Sequence, residues 1–247
     1  MHLARKAGAP GRTSPRSSPA TAERGFRASL LELDGGQSVL PTPNLAKLMA
    51  SLETEITGVL LCGGQGRRLG HQNKPLLEKD GRAMFRQILD AHRPYLLAWL
   101  ISANRDFDLY EAAGYRVIAD AAGSVGPLSG IATAAAQADT PWLYVLAGDT
   151  PQLDPSILTL LAKHRRGHSA LVARNDRDPP RFPLLVKTDV AARLGENLLA
   201  GSLSLGGWLA AIGALSISVP PTSSFGTNIN TPEDLAQWRA LEENHET

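Results

Sequence analysis

The sequence predicts an α/β fold, doubly wound around a mostly parallel sheet, on three observations. From Ile56 onward, short apolar runs alternate with segments of helical character, the pattern of parallel strands joined by crossover helices. Four consecutive runs stop at Gly, Asn or Asp, residues that turn a chain at a strand end. The 247 residues suffice for one good-sized α/β domain with an appendage and a substantial core.

The elements follow in order. Residues 1–50 set Arg5, Lys6, Arg12, Arg16, Arg24 and Arg27 among Ser, Pro, Ala and Gly with little apolar periodicity, which predicts a disordered N-terminal extension and places the domain at 51–247. This acid-poor start superficially resembles a transit peptide, lacks the apolar core of a secretory signal, and is explained equally well by a mis-called start codon. A weak amphipathic helix, Asn44 to Ser51, precedes the domain. Strands are expected at Thr57 to Cys62, Ala98 to Ser102, Tyr115 to Ala119, Trp142 to Ala147 and Ala170 to Ala173, with later ones at Phe182 to Val186 and Ala214 to Val219. Between them helices are expected near Ala83 to Leu97, Phe107 to Ala113, Leu128 to Gln137 and Pro155 to His164, and the stretch around Trp208 and Leu209 reads as a core helix.

Composition excludes several classes. A net charge of +1, with 20% charged residues, gives no field that would attract nucleic acid or an anionic membrane. The single cysteine, Cys62, rules out a disulfide framework and a thiolate-rich metal site and suits a reducing cytoplasm. No stretch reaches the roughly 18 apolar residues of a membrane-spanning helix, so a soluble, cytoplasmic protein is expected. The histidines show no paired zinc-binding spacing and read as surface or packing residues.

In open α/β sheets ligands bind beyond the carboxyl ends of the strands. Here those ends read Gly63-Gly64, Asn104-Arg105, Asp120 and Gly148-Asp149. The first lies in LCGGQGRRLG, Leu61 to Gly70. It is not a P-loop, because Gly66 is followed by Arg67 and Arg68 instead of Lys, and not a dinucleotide fingerprint, because Leu69 stands where the third glycine should. It still offers glycine amides that can approach an anion, with Arg67, Arg68 and Lys74 to supply positive charge around a polyphosphate; the alternative is a flexible turn with solvated cations. Asp149 follows an apolar strand and precedes Thr150-Pro151. It can hold Mg²⁺ against phosphates or cap a helix, and Asp154, just before Pro155, fits the cap better. Asp120 can bond a ribose or a base edge or close a turn. GPLSGI, Gly126 to Ile131, opens a helix whose free amides can face a ligand or simply begin the helix. In TNINTPEDLAQW, Thr231 is an N-cap with Pro232 at the first helical position and Asp234 near the capping-box position; Asn228 and Asn230 are not needed for the cap, which leaves them for a substrate or metal. Cys62, without a His partner in sequence, reads as a small buried residue.

Taken together, ITGVLLCGGQGRRLGHQNKPLLEKDGRAM, Ile56 to Met84, is similar to the opening signature of the molybdenum cofactor guanylyltransferases, the MobA family, with its pattern L-A-G-G-x-x-x-R-M-G-x-x-K-x-L-L-x-x-x-G. SANR (Ser102 to Arg105), the V-I-x-D ending at Asp120, GPLSGI, the segment around Asp149 and the N-x-N-T-P-E-D-L from Asn228 resemble the later family blocks in the same order, so the likeness runs over about residues 55–240. It implies a Rossmann-like nucleotidyltransferase fold and transfer of GMP from GTP to Mo-molybdopterin, with release of diphosphate and Mg²⁺ as cofactor. It implies that Leu61, Cys62, Gly63, Lys74, Asn104, Asp120 and Asp149 line the GTP site, that Asp149 is the metal ligand, that Arg68 joins Lys74 and Asp149 at the phosphates, and that Asn228 and Asn230 face the pterin or the metal. As partners it implies transient contact with molybdenum cofactor insertion proteins or acceptor molybdoenzymes, by a monomer. The rivals are a molybdopterin cytidylyltransferase or another nucleotidyltransferase of the same fold, and a non-catalytic nucleotide or pterin carrier. Three positions depart from the pattern: Cys62 for the usual Ala, Asn73 for the Asp that usually precedes the lysine, and Pro179 where His or Gln is common.

Overall fold

A computed structural model describes residues 50–64, 69–70, 72–120, 126–174, 182–195, 204–219 and 228–241. The strands are β1 (Ile56–Leu61), β2 (Glu78–Lys79), β3 (Arg82–Ala83), β4 (Trp99–Ala103), β5 (Arg116–Ala119), β6 (Trp142–Ala147), β7 (Ala170–Arg174), β8 (Leu184–Lys187) and β9 (Leu215–Ser218). The helices are α1 (Met84–His92), α2 (Phe107–Glu111), α3 (Pro127–Ala135), α4 (Ile157–His164), α5 (Thr188–Ala192), α6 (Leu205–Ala211) and α7 (Pro232–Ala240). Seven strands form one sheet in the order β5-β4-β1-β6-β8-β7-β9, and β2 and β3 form a separate hairpin.

The predicted mostly parallel, doubly wound sheet is present. β5, β4, β1 and β6 run parallel, as do β7 and β9. Only β8 is reversed, antiparallel to both neighbours. A four-residue apolar run carries no sign of its direction; that is set by how the chain enters the sheet. Its ladder begins at Leu184, two residues later than predicted, after a proline that has no amide hydrogen to contribute.

Alternation along the central strands sorts side chains to two helical layers. On one face Ile56 and Leu60 of β1 and Tyr144 and Leu146 of β6 pack with Phe85, Ile88 and Leu89 of α1 and with Ile157, Leu158 and Leu161 of α4. On the other, Val59, Leu143 and Val145 pack with Leu128 and Ile131 of α3 and with Trp208 and Leu209 of α6. Both faces are therefore dry, which is why these strands read as continuous apolar runs. The core helix expected around Trp208 is α6. The helix predicted to reach Leu97 stops at His92, because Pro94 cannot extend it. Of the predicted helix from Asn44, only Ala50 and Ser51 fall among the described residues, and both are helical. No helix among the described residues is long and apolar enough to cross a membrane.

His92 belongs to this core. Its Nδ1 is bonded to the Ile88 carbonyl at 2.8 Å, its ring meets Trp99 edge-on, and its Nε2 has no hydrogen-bond partner. Burial pulls its pKa from 6.5 down to about 4. The unfolded chain thus binds a proton that the folded chain refuses, and stability is lost as pH falls from about 6.5 to about 4. We expect this residue to account for on the order of 3 kcal/mol across that window. Urea midpoints of wild type and His92→Phe, compared over the same range, measure it, and parallel profiles would contradict it.

Candidate active site

Register brings the strand ends side by side. Leu61 pairs with Ser102 of β4 and with Ala147 of β6, and Ala103 pairs with Ala119 of β5. The residues that follow therefore emerge along one edge: Cys62-Gly63, Asn104, Asp120 and Gly148-Asp149. Strand order reverses direction between β1 and β6, so the crevice of the fold opens there.

On one side of Gly63, Asn104 and Asp120 hold each other. Asn104 Nδ2 donates to Asp120 Oδ2 at 2.9 Å, and the Asp120 amide donates back to Asn104 Oδ1 at 3.3 Å. Ser102 Oγ, fully buried, donates to Asp120 Oδ1 at 2.7 Å and fixes the second oxygen. A Cβ at position 63 would lie 2.9 Å from Asn104 Nδ2 and 3.2 Å from Asp120 Oδ2, so glycine is what lets the pair close over the backbone. Gly130 of α3 serves the same end from below, since a Cβ there would meet Ser102 Oγ at 2.4 Å. The helix can approach the strand ends only without a side chain. Ser102 escaped sequence reading because one serine at the end of a buried strand carries no distinctive signal.

On the other side, Lys74 opens a single 3₁₀ turn, Lys74–Leu76, anchored by buried Pro75. Its Nζ donates to Asn230 Oδ1 at 2.8 Å and lies 3.5 Å from Asp149 Oδ2. The lysine side chain is 16% exposed and the aspartate 23%. Burial pushes the Asp149 carboxyl above its ordinary value, against the opposing pull of the Lys74 ammonium. Its charge is thus incompletely compensated by protein, and further positive charge at this place would be favourable. The Ile229 amide donates to the Asp149 carbonyl at 2.9 Å and pins the C-terminal segment to the end of β6. Immediately beyond, the Thr231 hydroxyl accepts from the Asp234 amide at 3.1 Å and Asp234 accepts from the Asn230 and Thr231 amides, the capping box expected from the sequence. Those amides lower the Asp234 pKa.

The structure therefore assembles Gly63, Asn104 and Asp120 in one group and Lys74, Asp149 and Asn230 in another. Leu61 and Cys62 link them. Cys62 is buried and its thiol pKa is pushed up by burial, which fits a packing residue and not a nucleophile. Asn228 is exposed, and its carbonyl accepts from Asn230 Nδ2 at 3.4 Å. Arg68 and Pro179 lie outside the described residues. Asp154 accepts from the Ser156 amide at 2.8 Å in the turn before α4, and it does not cap that helix as expected: the helix starts at Ile157, and Ser156 at its N-cap makes no side-chain capping bond.

Residues 58–213 match the family of the MobA-like NTP transferase domain. The molybdenum cofactor guanylyltransferase of Yersinia pseudotuberculosis serotype O:1b (strain IP 31758) is 31% identical over 189 residues, 76% of this chain and 96% of that protein. Among solved structures, the molybdopterin-guanine dinucleotide biosynthesis protein A of Archaeoglobus fulgidus superposes with a TM-score of 0.61 at 23% identity, covering 73% of this chain and 95% of that one. A CMP:2-keto-3-deoxy-manno-octonic acid synthetase complexed with CTP superposes with a TM-score of 0.63 at 13% identity, covering 76% of this chain and 98% of that one. The fold is thus shared with a synthetase whose solved structure holds CTP. Sequence identity and the family match together show that this chain is a nucleotidyltransferase belonging to the MobA-like NTP transferase family.

Proposed function

We propose that the protein transfers GMP from GTP to the terminal phosphate of Mo-molybdopterin, forming the guanine dinucleotide cofactor and releasing diphosphate. The observation that carries this reading is the meeting of Lys74, Asp149 and Asn230 beside the glycine strand end, in a chain 31% identical to a named guanylyltransferase. The acceptor phosphate oxygen attacks the α-phosphorus, a new P–O bond forms, and the α–β bridging P–O bond breaks. The nucleophile is already an anion, so no general base is required. The need is to neutralise charge as two polyanions meet and diphosphate departs.

Lys74 suits that need as a compact ammonium oriented by Asn230. Asp149 presents a carboxylate of incompletely compensated charge, and the described residues contain no group of three or more His, Cys, Asp or Glu placed to hold a metal ion together. That donor set fits Mg²⁺, which takes one or two protein carboxylates and completes its shell with phosphate oxygens and water. Mg²⁺ held by Asp149 would supply charge neutralisation at the polyphosphate. Asp120, with both oxygens already accepting one bond each, retains lone pairs for a ribose hydroxyl or a base edge. Arg68, by resemblance, adds to the positive charge at the phosphates, and Asn228 and Asn230 to the pterin side.

The preference for GTP over CTP rests on the double glycine Gly63-Gly64, where cytidylyl relatives more often carry L-A-A-G. In this structure a methyl at position 63 would displace the Asn104–Asp120 pair. Incubation with Mg²⁺, Mo-molybdopterin and either GTP or CTP tests the reading. Identification of the guanine dinucleotide, with kcat/KM for GTP at least about 100-fold above that for CTP, is the expected result. Equal use of CTP would favour the cytidylyl alternative, and failure to release diphosphate from either would favour a carrier.

A further inference from the structure

Asn73 stands directly before Lys74, at the position where the resembling family usually has Asp. Its side chain is used at both ends. Nδ2 donates to Asp106 Oδ2 at 2.8 Å, and Oδ1 accepts from the Tyr110 hydroxyl at 3.4 Å. Tyr110 is fully buried and packs edge-on against Phe85 with ring centroids 4.9 Å apart. An amide can both donate to a carboxylate and accept from a phenol at neutral pH, whereas an aspartate of the same size could do so only by taking up a proton. A carboxylate at position 73 would instead face the Asp106 carboxylate with no proton between them.

Asp106 is the unusual partner. It precedes α2 at the N-cap position with a left-handed backbone, φ 56° and ψ 35°, a conformation that a residue with a side chain seldom adopts. An aspartate there ordinarily turns back to cap its own helix, yet Asp106 makes no capping hydrogen bond. Its carboxylate reaches across to Asn73, 33 residues away in sequence. Arg105 Nε lies 3.9 Å from the same oxygen.

We infer that Asp106, acting through Asn73, is a positioning residue for Lys74. Asn73, fixed by Asp106 on one side and buried Tyr110 on the other, sets the start of the Lys74 turn, where its carbonyl accepts from the Leu76 amide at 3.0 Å. This inference rests on the proposed role of Lys74 in nucleotidyl transfer.

The test is a swap. Asn73→Asp, Asp106→Asn, the double variant and Asp106→Ala are assayed for kcat/KM with GTP and for thermal midpoint, and Asn73→Asp is repeated in a Lys74→Ala background. Asn73→Asp is expected to lower kcat/KM by about tenfold or more, because two carboxylates would oppose each other at hydrogen-bond distance. The double variant should return to within about threefold of wild type, and Asn73→Asp should cost nothing further once Lys74 is gone. Asp106→Ala, which avoids the repulsion, should lower kcat/KM several-fold without a matching fall in thermal midpoint. The inference is overturned if Asn73→Asp is as active as wild type, if the swap does not restore activity, or if the loss persists undiminished in the Lys74→Ala background. Full turnover by Lys74→Ala itself would overturn the proposed role of Lys74 as well; an impaired Lys74→Ala beside an unimpaired Asn73→Asp would overturn the positioning role alone.

Discussion

Alanine in place of Asp149 is expected to lower turnover at saturating GTP and Mg²⁺ by at least about a thousandfold, the order of loss seen when a principal electrostatic group is removed from a transition state. Stability should move the other way. The folded-state pKa of Asp149 lies above its ordinary value because burial disfavours the charged form. Folding therefore binds this proton more tightly than the unfolded chain does, and at neutral pH the ionised carboxylate opposes folding. Asp149→Asn, which keeps the shape and removes the charge, should hold or raise the thermal midpoint at pH 7 while losing activity. Diphosphate release and a melting curve on the same preparation make the test. Near-normal turnover would remove Asp149 from the phosphate chemistry, and a collapsed midpoint would make it a structural residue.

Lys74→Ala is expected to cost about a hundredfold in kcat, with a smaller change in KM, if the ammonium acts mainly as charge develops on the leaving diphosphate. The substitution also deprives Asp149 of its cationic neighbour at 3.5 Å and Asn230 of its donor at 2.8 Å. The Asp149 pKa should consequently rise further, so that activity lost at low pH is lost at a higher pH than in wild type. Lys74→Arg should rescue only partly. A planar fork cannot place one donor where a tetrahedral ammonium serves two acceptors on different segments. Steady-state kinetics with GTP varied at fixed Mg²⁺ separate the two constants. Unchanged kcat in Lys74→Ala would exclude the role.

The two substitutions probe residues of different legibility. Asp149 could be picked out in sequence because it follows a strand and stands farther from the next helix than Asp154, the better-placed candidate for its cap. Lys74 could be noticed only as a cation downstream of a glycine loop. Its partners were not readable: Asp149 is 75 residues away and Asn230 is 156. The Asn104–Asp120 pair was similarly visible as two strand-end residues, while the buried Ser102 that orients Asp120 was not. Asn73 reads in sequence as a departure from the family pattern, and its contact with Asp106, 33 residues away, is made only by packing.

Local chemistry accounts for what the sequence determined by itself. Runs apolar throughout specify strands covered on both faces, glycine and aspartate end them, proline and threonine start α7, and a polar residue following a strand in such a fold lies where ligands bind. None of these depends on which strand lies beside which. The direction of β8 and the pairing of Lys74 with Asn230 were decided only by the tertiary structure. Each depends on strand order and register, through which Leu61 is aligned with both Ser102 and Ala147. A parallel sheet joins distant segments through long crossovers, and the contacts made at its carboxyl edge are set by packing the helices on both faces.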